Sequence, residues 1–168
     1  PGFGGAIVNI ATTEFGDRVA KARTLLIGAT NEAWAEAIKV ELDKQRQPQG
    51  ESMAPHLLPP EAISAEAWQR GEVARDTHIS TTGSPLLPTP WGKVKNPAGG
   101  KDLLVHDRGG PSPTPRCRED EVSGFGGALI FDDRAEPRGA RRLEPLEVWQ
   151  LTGGTPHAWR LAIDEGVG

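Results

Sequence analysis

The sequence predicts a mixed α/β fold. Three observations lead there: short β-branched apolar runs near the N-terminus, an amphipathic helical segment directly after them, and two well-punctuated helices toward the C-terminus. Ala6 to Ile10 (Ala-Ile-Val-Asn-Ile) is the first run, and Thr24 to Ile27 (Thr-Leu-Leu-Ile), closed by Gly28, is the second. Between them Thr12 to Ala22 carries a glycine and mixed charge, so a long connection or irregular hairpin joins two strands. Thr30 or Asn31 can cap a helix in which Trp34, Ala37, Ile38 and Leu42 recur at helical spacing. It should end near Arg46, before Gln47-Pro48-Gln49-Gly50.

From Gln47 to Pro115 the chain is Pro-rich and poorly periodic, with a short helical stretch at Pro60 to Arg70 where Ile63 and Trp68 can touch a core. Leu103-Leu104-Val105 and Gly127 to Phe131 read as short strands, the second ended by Asp132-Asp133. Glu144 can cap the first terminal helix, with Pro145 in its first turn and Glu147 three residues after the cap. Thr155-Pro156 opens the other, and Gly166 closes it after Trp159, Ala162 and Ile163 have supplied an apolar face. Trp149 and Trp159 should pack these two helices together.

A chain of 168 residues suits one domain. Its 21 glycines and 15 prolines make it loop-rich without making it disordered. No apolar run approaches the roughly 18 residues of a membrane span, and no basic region followed by an apolar run opens the chain. Neither a membrane span nor a secretory signal is expected. With Cys117 as the single cysteine, no disulfide framework can form within the chain, and an intracellular setting is expected. The chain opens on Pro1 in Gly-rich text, which reads as an excerpt of a longer protein. His56, His78, His106 and His157 lack any local metal-ligand spacing. Gly-Phe-Gly-Gly-Ala occurs at Gly2 to Ala6 and again at Gly124 to Ala128, but a strand follows each copy where a dinucleotide loop needs a helix. Neither Gly-x-Ser-x-Gly nor Gly-Lys-Ser/Thr is present.

The net charge of -4 argues against a nucleic-acid partner, yet the charge is unevenly spread. Asn31 to Asp76 is acidic. Lys93, Lys95, Lys101, Arg108, Arg116 and Arg118 face only Asp102 and Asp107 over the stretch from Lys93 to Arg118. That stretch can lie against phosphates, or it can be a solvated loop. Trp91 can stack or wedge, or fill a small local core.

Three segments read in order carry a resemblance. Asn9, Glu14-Phe15-Gly16 and Lys21-Ala22-Arg23-Thr24-Leu25-Leu26-Ile27-Gly28 come first. Arg108-Gly109-Gly110-Pro111-Ser112-Pro113-Thr114 and Gly124-Phe125-Gly126-Gly127-Ala128-Leu129-Ile130 follow. Arg142-Leu143-Glu144-Pro145-Leu146-Glu147 and Leu151-Thr152-Gly153 close the series. Together they resemble the C-terminal half of the cytosine-5 DNA methyltransferase family. The first segment is similar to that family's Leu-Asn, aromatic-Gly and Gln-x-Arg-x-Arg run. The last is similar to its Arg-x-Leu-Thr-Pro-x-Glu and Leu-Gln-Gly.

The resemblance implies an α/β fold in which a partial S-adenosylmethionine-dependent methyltransferase sheet carries a loop-rich target-recognition insertion and C-terminal helices. It divides the chain into sheet strands at 1–28, a target-recognition-like region at 29–107, and a return segment with helices at 108–168. It implies double-stranded DNA as partner and S-adenosylmethionine as the family's methyl donor, acting on a flipped-out cytosine. Arg23 falls where the family places an arginine beside that base, and Lys21 where another arginine is usual; Lys keeps the charge and loses the bidentate fork. A strand-end surface charge is the plainer reading of Arg23. Lys93, Lys95, Lys101, Arg108, Thr114, Arg116 and Arg118 become the expected DNA contacts. The family's Pro-Cys nucleophile, Glu-Asn-Val and cofactor-loop segments are not in these residues, so methyl transfer would need an N-terminal half. Cys117, in Arg-Cys-Arg, is not that nucleophile. Val19 and Thr152 stand where the family has Gln. A noncatalytic DNA-binding or interaction module derived from the same fold is the alternative reading.

Overall fold

The computed structural model describes residues 4–68, 72–75, 86–96, 99–114, 129–134 and 139–166. They form a mixed α/β fold with two sheets and three helices. β1 (Gly4–Ala11) and β2 (Ala22–Ala29) make an antiparallel ribbon in full register, from Gly4 opposite Ala29 to Ala11 opposite Ala22. The connection turns through a short 3-10 segment, Thr12–Phe15, which ends on Gly16 at φ 84°, a conformation that favours glycine. The irregular hairpin expected there is the one found.

α1 (Glu32–Gln45) follows, and Asn31 caps it by accepting the Trp34 backbone N–H at 2.9 Å. Its docking face differs from the expected one. Ala35 is buried, whereas Trp34 and Ile38 are 62% and 42% exposed. A small residue faces the ribbon because the two backbones meet closely: a Cβ on Gly4 would collide with the backbone of Asn31 and Glu32.

The second sheet has five strands in the order β3-β4-β5-β6-β7: Val73–Arg75, Pro90–Val94, Leu103–Asp107, Leu129–Asp132 and Gly139–Arg142. β5 and β6 are parallel, and the other neighbours are antiparallel. The sequence had shown β5 and β6 but not β3, β4 or β7, so the target-recognition-like stretch holds more regular structure than expected. These strands are short and interrupted by Pro90 and Gly92, and their pairing is long-range, which leaves little periodicity to read. A bulge between Pro90 and Gly92 turns Trp91 onto Phe131, with ring centroids 3.6 Å apart. The helix expected at Pro60 to Arg70 is two 3-10 turns, Pro60–Ala62 and Ala65–Ala67, with Ile63 and Trp68 half-buried.

Opposite faces of this sheet feed two apolar clusters. Val94, Val105, Leu129 and Ala140 form one; Ile130 joins Val19, Met53, Leu57, Leu143 and Leu151 in the other. α2 (Pro145–Leu151) and α3 (Pro156–Asp164) begin as expected, at Glu144 and at Thr155, whose hydroxyl accepts the Ala158 N–H. Trp149 and Trp159 pack against each other at 5.8 Å, while Leu161 and Ile163 on α3 stay exposed. Among the described residues no helix is long and apolar enough to cross a membrane.

Candidate functional site

Val19 is the point at which distant parts of the chain meet. It is fully buried and pairs in parallel with Ser112. The Ala20 N–H donates to the Ser112 carbonyl and the Ser112 N–H to the Arg18 carbonyl, both at 2.9 Å. One residue pair further on, the Thr114 hydroxyl donates to the Ala20 carbonyl at 2.5 Å. From the other side, the Arg18 guanidinium donates to the Gln150 carbonyl at the end of α2, and the Val19 side chain packs with Leu143 and Leu151. Gly50 and Met53 close the junction: the Met53 N–H donates to the Gly110 carbonyl, and a Cβ on Gly50 would lie 2.6 Å from Pro111.

Val19 and Thr152, the two positions at which the sequence differs from the family it resembles, have evident structural roles. Position 19 lies inside an apolar cluster, where a buried glutamine amide would need partners that Val does not. Thr152 is exposed and spends its hydroxyl on the Val148 and Trp149 carbonyls at the α2 terminus.

Arg23 and Lys21 leave the junction along β2. Lys21 is half-buried, and its backbone N–H and C=O are both held by Thr12. Arg23 is exposed opposite Ile10, and its guanidinium folds back to the Ala22 carbonyl at 3.0 Å. Among the described residues the expected DNA contacts fall in three places. Lys93 and Lys95 are exposed on and just after β4, and Lys101 is exposed at the turn leading into β5. Gly99 and Gly100, just before Lys101, have φ of 84° and 87°, and a Cβ added at either would meet nothing within 4 Å. Arg108 lies elsewhere and is ion-paired to Asp133 at 2.9 Å. Thr114 belongs to the Val19 junction, and Arg116, Cys117 and Arg118 lie outside the described residues. Trp91 fills a local core, with Phe131 against it and the Arg75 guanidinium 5.8 Å from its ring.

The sequence reading did not bring together the most heavily bonded charges among the described residues. Arg141, Asp132 and Glu147 are each fully buried. Arg141 donates to Asp132 at 2.8 Å and, in a fork, to both Glu147 oxygens at 2.7 and 2.8 Å. Glu147 also accepts the Leu58 and Glu144 backbone N–H groups, and Asp132 accepts from Arg134. Burial pushes the Asp132 carboxyl up, but hydrogen bonds from Arg134 and Arg141 outweigh it and hold the group far below the usual carboxylate range. The Arg-x-Leu-x-Pro-x-Glu spacing therefore begins structurally at Arg141, one residue before Arg142. An arginine six residues ahead of a glutamate across a strand-to-helix turn was the available signal.

Of the histidines, His78 lies outside the described residues, and His56, His106 and His157 do not converge. His56 pairs with Glu51 at 3.2 Å, and burial lowers the pKa of His106. Among the described residues no group of three His, Cys, Asp or Glu side chains could hold a metal. A shallow cleft of about 190 Å³, lined by Gln49, Thr89, Asp107 and Pro111 among others, is smaller than the roughly 300–1,000 Å³ of small-molecule sites. No protein-family model matches the chain, and no curated protein matches it.

Proposed function

We propose that this chain is the target-recognition and C-terminal part of a DNA (cytosine-5)-methyltransferase-like protein, with double-stranded DNA as its intracellular partner. The observation that carries the reading is the convergence at Val19. Arg18 to Ala20, which lie between the matching parts of the first segment and include the departure at Val19, meet Ser112 and Thr114 of the return segment and Leu143 and Leu151 of the closing one, about 90 and 130 positions away, through hydrogen bonds to the backbone and one apolar cluster. A chance likeness between scattered short motifs would not require them to be neighbours.

On this reading Lys93, Lys95 and Lys101 neutralise phosphates from one hairpin, and Arg23 offers its guanidinium to an extruded cytosine. The nucleophile and the pocket for the methyl donor belong to an N-terminal half, which these residues do not supply. S-adenosylmethionine, bound there, would provide the methyl group. The noncatalytic alternative draws support from Val19 in the core and from Thr152 at its helix end.

The test is duplex-DNA binding by this chain across a salt series. Three phosphate contacts predict a log-log slope of roughly -2.7. Arg23→Met should keep that slope while abolishing the fluorescence rise of 2-aminopurine placed beside a target cytosine. A slope near zero would remove the DNA-based readings. A normal slope with no 2-aminopurine signal in the wild-type chain favours the noncatalytic module.

A further inference from the structure

Beyond the last residue pair of β4 and β5 the Asp107 N–H donates to the Thr89 carbonyl at 2.8 Å, and the chain then turns through Gly109 and Gly110 toward the Val19 junction. There the Met53 N–H holds the Gly110 carbonyl at 2.9 Å, which brings Gln49 and Gly50 alongside. Three stretches remote in sequence thus wall the cleft of about 190 Å³. Three of its lining residues are glycine. A Cβ on Gly110 would stand 3.3 Å from Thr89 Oγ1, one on Gly109 would stand 3.2 Å from Asp107 Oδ1, and one on Gly50 would stand 2.6 Å from the Pro111 ring, so any side chain there would crowd the lining.

The lining carries a single charge. Asp107 is half-buried and accepts the Gly109 N–H at 2.7 Å, but no cation lies against it among the described residues. The guanidinium of the next residue, Arg108, is turned to Asp133 instead. The side chains of Thr89 and Gln49 make no hydrogen bond among the described residues. A carboxylate, a hydroxyl and an amide, each with lone pairs to spare, therefore share one small cavity.

That set of groups selects a ligand. The carboxylate repels a phosphate. Calcium takes about six to eight oxygen ligands, more than one carboxylate and two neutral side chains supply. An ammonium is compact and strongly hydrated, and fills little of a space that amounts to about six water volumes. A guanidinium is planar, weakly hydrated and ringed by N–H donors, which suits acceptors arriving from three stretches of chain beside the flat ring of Pro111.

We propose that this cleft binds a guanidinium group, with Asp107 as its ion-pair partner and the oxygens of Thr89 and Gln49 accepting its remaining N–H groups. The cleft is too small for a whole drug-sized molecule, so it takes the head group alone, carried either by an arginine of a partner polypeptide or by a free guanidino compound.

The whole chain, labelled with nitrogen-15, is titrated with ethylguanidinium chloride at millimolar concentrations, well below denaturing ones, and followed by amide chemical shifts. Saturable shifts are expected at Gly109, Gly110 and Gly50, with an affinity at least tenfold above that for ethylammonium and no response to magnesium chloride at matched ionic strength. Asp107→Asn keeps an oxygen for the Gly109 N–H and should weaken binding at least tenfold without lowering the melting temperature. Gly110→Ala crowds Thr89 without touching the charge and should weaken it as much; it decides alone if Asp107→Asn does not fold. The peptide acetyl-Gly-Arg-Gly-amide separates the two sources. Binding at least tenfold tighter than ethylguanidinium assigns the cleft to a polypeptide's arginine, equal binding assigns it to a free compound, and both sustain the proposal. Absence of saturable shifts at those glycines overturns it. So does an equal response to ethylammonium or magnesium, or binding that a folded variant leaves unchanged. A flat DNA salt slope removes the proposed function and leaves this site standing.

Discussion

Replacing Arg141 with methionine keeps most of the side-chain volume and removes one buried charge. Arg141 makes four hydrogen bonds, to Asp132, twice to Glu147 and to the Arg142 carbonyl. Its two acid partners then differ in what remains. Asp132 keeps Arg134, whose guanidinium reaches it at 2.7 and 2.9 Å. Glu147 keeps the Leu58 and Glu144 backbone N–H groups, both at 2.8 Å, with no solvent and with Arg134 acting on it through space without a hydrogen bond. An uncompensated buried carboxylate costs about 3–5 kcal/mol, against a total stability of roughly 5–15 kcal/mol for a domain. Arg141→Met should therefore lose about 3–5 kcal/mol, and Arg141→Lys, which keeps the charge but not the fork, about 1–3 kcal/mol. Adding Glu147→Gln to Arg141→Met should recover stability, since the neutral amide no longer needs a cation. Urea unfolding at neutral pH, followed by emission from the five tryptophans, measures all three variants. A loss below about 1 kcal/mol for Arg141→Met, the size of an average substitution, would refute the argument that this cluster holds β6, β7 and α2 together.

Two further outcomes follow from the same coordinates. Asp132 has a folded-state pKa depressed below its ordinary 3.8, so the stability it contributes is fully present above that value and drains away as pH falls through it. Acid titration should show wild type losing stability from about pH 4 downward, and Asp132→Asn, less stable at pH 7, losing less over the same range; parallel curves would contradict this. Gly4→Ala places a methyl against the backbone of Asn31 and Glu32, which cannot yield as a flexible side chain would, and should cost about 1–3 kcal/mol in thermal unfolding followed at 222 nm. An unchanged melting temperature would mean that α1 does not rest on the ribbon.

Signals that span a single turn were legible without the fold. Asn31 caps α1 and Thr155 caps α3 through contacts three residues on, and these depend on local residue chemistry alone. The docking face of α1 was not legible. Trp34 and Ile38 are the larger apolar residues, yet Ala35 is the buried one, and nothing in the local sequence indicates that the start of the helix rests against Gly4.

By itself, the sequence determined the β1–β2 ribbon, the helix starts and the basic stretch from Lys93 to Arg118, because each is written in residues close together in the chain. Tertiary structure decided that Val19, Ser112 and Leu151 share one junction, that Lys93, Lys95 and Lys101 belong to one hairpin and Arg108 lies beside Asp133, and that Arg141 lies in the core. A buried arginine and a surface arginine have the same side chain. What separates them is whether acids such as Asp132 and Glu147 arrive around the guanidinium, and only the folded chain brings them there.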